Sequence, residues 1–468
     1  MIIRPLNAIA ALCGGAVLND NGGVVIGGVS INSRTLRPGQ LFVPILGERV
    51  DGHDFVAGAL SAGAGGALWD RNKAVPDALS DAPLILVDDT VAALQRLAAN
   101  YRDELDLRVI GVTGSNGKTT TKDMVAAVLS ETCRVHKTEG NLNNHLGLPL
   151  TVLELDESFD AVVLEMGMSE FGEIDFLTRL AKPDVAIITN IGDSHMEQLG
   201  SREGIAKAKL EIVAGLRPGG LLLVNGDEPL LREGLRSARL PEGVEVQTFG
   251  QQDGSSWVAD NISGDAVSSV FDVRGDAELA RVALPAAGRH NVSNALAAIA
   301  AAKRLGVPAA AIRQGFERLK LTGMRIEPGK AHNGALVLND AYNASPTSVR
   351  AAIDLVAGLT GYRRKWLVLG DMLELGPREN EMHGEVGAYI TPLKADAVLT
   401  YGTLSRNTAA EAGKQFASDG GEARVLAFDD KGQLTEWLQA RIEPEDLVLV
   451  KGSRGMRMEE IVHALQRA

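Results

Sequence analysis

Residues 109–121 read Val-Ile-Gly-Val-Thr-Gly-Ser-Asn-Gly-Lys-Thr-Thr-Thr, an apolar run that enters a glycine loop ending in Gly117-Lys118-Thr119. This stretch constrains the fold most, because it demands a strand, a tight turn and a helix in that order. Met124, Val125, Val128 and Leu129 then recur at helical spacing. Backbone N–H groups of such a turn point at phosphate oxygens, and the helix N-terminus adds positive partial charge. Lys118 would reach the outer phosphates, and the Thr119 hydroxyl would hold Mg²⁺. Val112 stands where the longer form of this loop opens on glycine, so the tighter string Gly114-Ser115-Asn116-Gly117-Lys118-Thr119, followed by Thr120, is the one present. A glycine-rich turn with an incidental lysine is the competing reading. It does not explain why strand, loop and helix all fall where a phosphate cradle needs them.

A chain of 468 residues is too long for one core, so two to four domains are expected. Aromatics make up only 4% against 52 glycines, which suits an α/β protein with many strand-to-helix turns better than a β-sandwich. The formal charge of −13 argues against nucleic acid as a partner, since phosphate backbones demand a basic face. Cys13 and Cys133 form neither a disulfide framework nor a zinc set. No apolar run approaches a membrane span. Arg4 followed by Ala8–Cys13 faintly imitates a secretion signal, but Asn7 and Gly14-Gly15 dilute it. Ile2, Leu6, Ile9 and Cys13 instead fit one helix face. A cytoplasmic, monomeric chain with a folded N-terminus is expected.

Three units are predicted. Residues 1–88 alternate short apolar runs with turns, with strands expected at 24–31, 40–43 and 67–69 and a helix at 54–62. Residues 89–321 hold the phosphate loop and strands at 161–164, 185–189 and 221–224 separated by helices, the alternation of a parallel, doubly wound sheet. Within this unit, closely spaced strands at 244–249, 257–262, 267–273 and 280–284 read as an antiparallel extension, and 291–305 as a helix. Residues 322–468 repeat the α/β pattern, with strands at 335–338, 366–369, 397–400, 425–428 and 447–450.

Ligands of open α/β sheets collect at the carboxyl ends of the strands. Glu165 ends the run Val162–Leu164, and His195 follows Ile187–Ser194, so both belong on the edge that carries Lys118. A carboxylate there is what a nucleotide-bound Mg²⁺ requires, although a strand-end Glu in water is the plainer alternative. His195 fits substrate orientation or helix capping as well as metal binding, because imidazole is not the preferred Mg²⁺ ligand. The string Thr138–Pro149 carries Asn141, Asn143, Asn144 and His145 between glycines, a density of amides that suggests a polar ligand. The arginines among Ser30–Arg34 and Gly47–His53 make a plausible anion or sugar-nucleotide site, or two solvated turns.

Taken together, Gly-Val-Thr-Gly-Ser-Asn-Gly-Lys-Thr-Thr, Asn-Leu-Asn-Asn-His-Leu-Gly-Leu-Pro, Glu-Met-Gly, Thr-Asn-Ile-Gly-Asp-Ser-His and Gly288–Ala295 occur in the order seen in the Mur ligases, which this sequence resembles over essentially its whole length. The resemblance implies three domains. These are a small N-terminal α/β domain for a UDP substrate, a central P-loop-type mononucleotide-binding sheet, and a Rossmann-like C-terminal α/β domain that closes on ATP and binds an incoming dipeptide. The strings Asp340–Pro346 and Leu369–Gly376 further resemble the branch that joins D-alanyl-D-alanine to UDP-N-acetylmuramoyl-tripeptide through an acyl phosphate, with ATP and two Mg²⁺ ions. No Asp-Asn-Pro-Arg string of the diaminopimelate-adding branch is present.

By this resemblance Gly114, Ser115, Asn116, Gly117, Lys118, Thr119 and Thr120 bind the phosphates. Thr119 and Glu165 hold the first Mg²⁺, and His195 meets the second. Lys209 matches a lysine that the family carbamylates, with Lys207 its rival two residues away. Asn291 matches an adenine contact, and Arg325 and Asp340 match residues that close on phosphate and ribose, while Tyr342, Asn343 and Pro346 belong to the dipeptide and closure motif. Lys451–Arg454 fits the last family motif. Ser33, Arg34, Gly47, Asp51 and His53, with Asn141, Asn143 and Asn144, are assigned to the UDP substrate. Asn32, Asn339 and Ser345 depart from residues frequent in relatives. Folylpolyglutamate-type ligases are the nearest alternative, and a P-loop ATPase switch is the alternative of a different class.

Overall fold

The computed structural model describes residues 1–19, 23–275, 279–416 and 424–467. Its centre is a nine-stranded sheet in the order Val282–Leu284, Ser269–Arg274, Trp257–Gly264, Glu245–Gly250, Leu221–Asn225, Val185–Ile188, Arg108–Thr113, Ala161–Glu165, Val135–Lys137. The phosphate-loop strand Arg108–Thr113 lies between two parallel neighbours that leave it on opposite sides, which is the switch point where doubly wound sheets bind ligands. Alternate residues of these strands feed opposite faces, as a period of two requires. Val109, Val162, Leu164, Ala186 and Ile188 face one core, and Ile110, Val112, Val163, Val185 and Ile187 face the other. The second core is closed by helices Lys118–Leu129 and Arg289–Arg304.

The expected antiparallel extension is shorter than the sequence suggests. Glu245–Gly250 runs parallel to Leu221–Asn225, and Trp257–Gly264 pairs parallel to it through Phe249 and Gly250 alone. Only Ser269–Arg274 and Val282–Leu284 add antiparallel strands. The segment 24–31 is also not one strand. Val25–Gly27 pairs with Ile3–Pro5, while Val29–Ser30 joins a separate five-stranded sheet, because Gly28 turns the chain at φ +93°.

That five-stranded sheet, Ala16–Val17, Leu84–Val87, Gly66–Asp70, Leu41–Phe42 and Val29–Ser30, forms the N-terminal unit. Helix Leu6–Cys13 buries Leu6, Ile9 and Cys13 as its pattern predicts, and Ile2 is buried just ahead of it. Helix Thr90–Glu104, capped by Asp89, carries Leu94, Leu97 and Tyr101 into a core that runs without a break into the central sheet. The C-terminal unit is a six-stranded sheet ordered Glu327–Lys330, Leu336–Asp340, Leu447–Lys451, Lys365–Gly370, Ala397–Tyr401, Val425–Phe428, parallel except for its first pair. Among the described residues no helix is long and apolar enough to cross a membrane. Cys13 and Cys133 are free.

Candidate active site

A cavity of about 760 Å³ opens where the carboxyl ends of the central strands meet the C-terminal unit. Its floor is the glycine loop. Gly114 and Gly117 sit at φ +147° and +80°, and a Cβ at Gly117 would stand 2.6 Å from Asn294 Oδ1, so neither position accepts a side chain without strain. Thr189 Oγ1 donates to Asn116 O at 2.5 Å, and Asn116 N–H donates to Asn190 Oδ1 at 3.0 Å, which ties the loop to the end of the next strand. Asn190 was missed by the sequence reading, although its place directly after a strand on the ligand edge was a usable signal.

Lys118 Nζ donates to Gly114 O at 2.8 Å. Thr119 Oγ1 donates to Glu165 Oε2 at 2.8 Å, and Asn143 Nδ2 donates to Glu165 Oε1 at 2.7 Å. Arg325 reaches in from the linker to the C-terminal sheet and donates to the same Thr119 hydroxyl at 2.8 Å, while its guanidinium stacks 4.1 Å from the Tyr342 ring centroid. On the far wall Lys451 Nζ donates to Asp340 Oδ2 at 2.6 Å and to Asn343 O at 2.9 Å. Buried polar atoms without a hydrogen-bond partner concentrate here, namely Ser115 Oγ, Asn116 Nδ2, Arg325 Nε and His195 Nδ1. A buried donor or acceptor left unpaired is costly, so such a cluster fits a site built for a polar ligand.

His195 lines this cavity in the left-handed conformation, φ 62°. Burial, together with the positive charge of Lys118 and Lys209, lowers its pKa to about 4, so its imidazole is neutral at pH 7 and can act as a ligand. Its Nδ1 lies 3.2 Å from Glu374 Oε2, without hydrogen-bond alignment. Lys209 does not line the cavity. It is buried behind it on helix Arg202–Leu210, where burial and the charge of Lys118 push its pKa well below the usual lysine range. Lys207 is exposed, with Nζ 5.7 Å from the Phe171 ring, so the two lysines diverge as their spacing predicts. Among the described residues no cluster of three His, Cys, Asp or Glu side chains is poised for a metal. A hydroxyl and one carboxylate, Thr119 and Glu165, instead suit a Mg²⁺ that draws its other ligands from phosphate and water.

A second cavity, about 1090 Å³, lies beside the N-terminal sheet and is lined by Ser33, Arg34, Arg37, Gly47, Val50 and Phe55, among others. Asn32 Oδ1 accepts from Arg34 N–H at 2.9 Å, an Asx turn that sets the loop and that a carboxamide forms as well as a carboxylate. Three assignments need correction. Asp51 and His53 do not line this cavity. His53 Nδ1 lies 2.7 Å from Asp51 Oδ1, its Nε2 accepts from Asp70 N–H, and Lys73 bonds to the other Asp51 oxygen, so the pair locks a turn. Asn141, Asn143 and Asn144 line the central cavity, and it is Leu142 between them that faces the N-terminal one. Pro346 is buried as the first residue of helix Pro346–Gly358, behind the Ser345 cap, and touches neither cavity. Of the other predicted residues, Ser115, Asn116, Gly117, Lys118, Thr119, Thr120, Glu165, His195, Asn291, Arg325, Asp340, Tyr342 and Asn343 converge on the central cavity, with Gly114 just beneath it, while Lys209 stays outside and Ser33, Arg34 and Gly47 belong to the second.

Residues 25–102 match the Mur ligase family catalytic domain, 112–302 the Mur ligase middle domain, and 324–454 the Mur ligase glutamate ligase domain. The chain is 49% identical over 99% of both lengths to a Bacillus subtilis protein named UDP-N-acetylmuramoyl-tripeptide–D-alanyl-D-alanine ligase. It is 37% identical to an Escherichia coli protein of the same name, over 95% of this chain and 94% of that one. Among solved structures, MurF from Acinetobacter baumannii superposes with a TM-score of 0.87 at 30% identity, over 100% of this chain and 99% of that one. MurF ligase from Thermotoga maritima in complex with ADP superposes at 0.81 and 29% identity, over 94% and 97%.

Proposed function

The chain belongs to the Mur ligase family, and from that premise we propose how its residues divide the work of an ATP-dependent ligase. The reaction joins D-alanyl-D-alanine to UDP-N-acetylmuramoyl-tripeptide in peptidoglycan synthesis. A carboxylate does not condense with an amine directly, because oxide is a poor leaving group. The tripeptide carboxylate attacks the γ-phosphorus of ATP, ADP departs, and the resulting acyl phosphate loses phosphate when the dipeptide amine attacks its carbonyl. Negative charge builds first on phosphoryl oxygens and then on the carbonyl oxygen, so preorganised positive groups at those points lower the barrier.

In this reading the loop amides of 114–119 and Lys118 hold the β- and γ-phosphates. Thr119 and Glu165 would hold one Mg²⁺, and neutral His195 would face a second. An ion held there would supply charge to neutralise the phosphoryl oxygens. Burial and the charge of Lys118 shift Lys209 towards the free amine, the form in which an amine adds CO₂, and its carbamate would give the second cation an oxygen ligand. Asn291 serves adenine, Asp340 the ribose, and Arg325 the transferred phosphoryl group. Tyr342 and Asn343 receive the dipeptide. We take the units as 1–88, 89–321 and 322–468, and the compartment as the cytoplasm, where ATP is supplied. Every group named lies on one chain, so a monomer suffices.

The observation that carries the reading is the loop 139–147. Asn141, Asn143 and Asn144 face the phosphate loop while Leu142 faces the N-terminal cavity, so one ligand can hold its nucleotide in one and present its carboxylate in the other. The test is ADP release with purified enzyme and the UDP-tripeptide, offering D-alanyl-D-alanine, L-lysine, diaminopimelate or glutamate in turn. Turnover with the dipeptide alone, and a product mass equal to the pentapeptide, is expected. Turnover with a single amino acid, or ATP hydrolysis that ignores both peptides, overturns it.

A further inference from the structure

Four residues beyond Thr119, on the same face of the same helix, stands a carboxylate for which the chemistry above has no use. Asp123 is 2% exposed. Its Oδ1 accepts from Lys137 Nζ at 2.6 Å, and Lys122 Nζ lies 3.6 Å from it. Its Oδ2 accepts two bonds from one residue 199 positions later, the Thr322 backbone N–H and the Thr322 hydroxyl, both at 2.8 Å. Buried carboxylates persist where charge and hydrogen bonds satisfy them, and the two lysines already supply the charge. The double bond from Thr322 is therefore an additional, directional contact, and Thr322 opens the linker that carries Arg325.

That linker is bent tightly. Met324 and Ile326, which flank Arg325, sit at φ 60° and 53°, in the left-handed region that non-glycine residues adopt only when held there. On its far side Met324 N–H donates to Glu327 Oε2 at 2.8 Å, and Tyr342 N–H donates to Met324 O at 3.2 Å. Helix Lys118–Leu129 thus grips the linker twice, one turn apart, with Asp123 on Thr322 and Thr119 on Arg325.

We infer that Asp123 is a positioning residue for Arg325, pinning Thr322 so that the guanidinium is delivered to the transferred phosphoryl group. The inference rests on the role of Arg325 proposed above. The two grips differ in kind. The Thr119 oxygen is the one that would hold a Mg²⁺, so the Arg325 contact would be given up there, whereas nothing in the reaction competes for Asp123. Thr322 would then remain the fixed point from which Arg325 reaches the phosphoryl group. The same pair reaches the metal side of the site. Lys122 Nζ donates to Thr138 O at 2.5 Å, and the Thr138 hydroxyl accepts from Glu165 N–H at 3.0 Å, so the buried charges also fix the end of the Glu165 strand.

The test uses the full chain with Thr322→Val, which removes one donor and leaves the buried charges paired, and Thr322→Ser, which keeps the hydroxyl. Trypsin cleavage after Arg325 in the nucleotide-free protein is expected to quicken about fivefold in Thr322→Val and to stay at the parent rate in Thr322→Ser. In turnover, Thr322→Val is expected to lose about tenfold in kcat while the Kd of a fluorescent ATP analogue stays within about twofold. Asp123→Asn is expected to show the same split with a lower Tm. Cleavage and kcat of Thr322→Val within about twofold of the parent, or Thr322→Ser as impaired as Thr322→Val, overturns the inference. The cleavage assay needs no peptide substrate, so it decides the pin even if the proposed roles in turnover fail.

Discussion

Arg325 and Thr119, 206 residues apart, are joined by a hydrogen bond of 2.8 Å from guanidinium to hydroxyl. A cation from the C-terminal linker therefore rests on the oxygen proposed above to hold a nucleotide-bound Mg²⁺. Thr347 Oγ1 reaches Asp193 Oδ2 at 2.5 Å on the opposite rim, so the C-terminal unit is docked on the central one from both sides.

Replacing Arg325 by alanine is expected to lower kcat by about 10²–10³, the loss typical of one preorganised charge at a developing oxyanion. Its bond to Thr119 and its stacking on Tyr342 are together worth about 2–3 kcal/mol at most to the fold, so Tm should fall by only a few degrees. The KM for ATP should stay near the parent value, because the proposed role of Arg325 is in the transfer and not in holding the nucleotide. Steady-state kinetics with saturating dipeptide checks this, and a KM rise with kcat intact would assign Arg325 to ground-state binding.

Arg34 lines the N-terminal cavity and is set by the Asn32 turn. Arg34→Ala should raise the KM for the UDP-tripeptide by about 10-fold or more, the worth of one charge-assisted hydrogen bond, and leave the KM for ATP and for the dipeptide unchanged. Arg37→Ala, on the same wall, is the comparison. Equal KM values for parent and Arg34→Ala would remove that cavity from substrate binding.

Lys209 should exchange with carbon dioxide. Enzyme prepared in degassed, bicarbonate-free buffer is expected to lose activity and recover it on adding bicarbonate. Labelled ¹³C-bicarbonate should give a carbamate resonance that Lys209→Ala lacks and Lys207→Ala retains. A resonance that survives Lys209→Ala would relocate or abolish the modification.

Stability should fall on acidification through the buried histidine of the C-terminal unit. His383 Nδ1 lies 2.7 Å from Glu379 O, and Nε2 accepts from Met372 N–H at 2.9 Å, so the ring is neutral with its proton on Nδ1. Burial lowers its pKa, against smaller opposing effects of the Glu379 carbonyl and Asp371. A histidine depressed in the folded state contributes stability that is complete above its unfolded value of about 6.5 and is lost as pH drops towards the folded value. Urea midpoints at pH 7.5 and 5.0 should therefore differ more for the parent than for His383→Gln. Equal differences would show that other groups carry the acid sensitivity.

Much of this was legible because the parallel strands are buried on both faces and read as unbroken apolar runs, as in Val109–Val112, Val162–Leu164 and Leu447–Val450. The glycine loop, Glu165 and His195 follow such runs, so their common edge could be read from topology. Two-residue strands such as Ala16–Val17 carry too little pattern to be seen. The direction of Glu245–Gly250 escaped because close spacing imitates hairpins, whereas its partner strand is reached through helix Pro229–Leu235. Asp51 and His53 are polar residues in a glycine-rich loop, and sequence does not separate a turn lock from a ligand. The Asp123–Thr322 pair joins residues 199 apart with no local signature.

The loop that faces both cavities has a consequence for the order of cell-wall assembly. Leu142 borders one chamber and its neighbour Asn143 touches Glu165 in the other, so the protein itself sets the span between the anchored nucleotide and the phosphoryl donor. If the nucleotide sits in the first chamber as proposed, a peptide stem one residue short is expected to end before the phosphate, and one too long to meet the loop. Stem length would then be gauged by reach, ahead of any side-chain recognition.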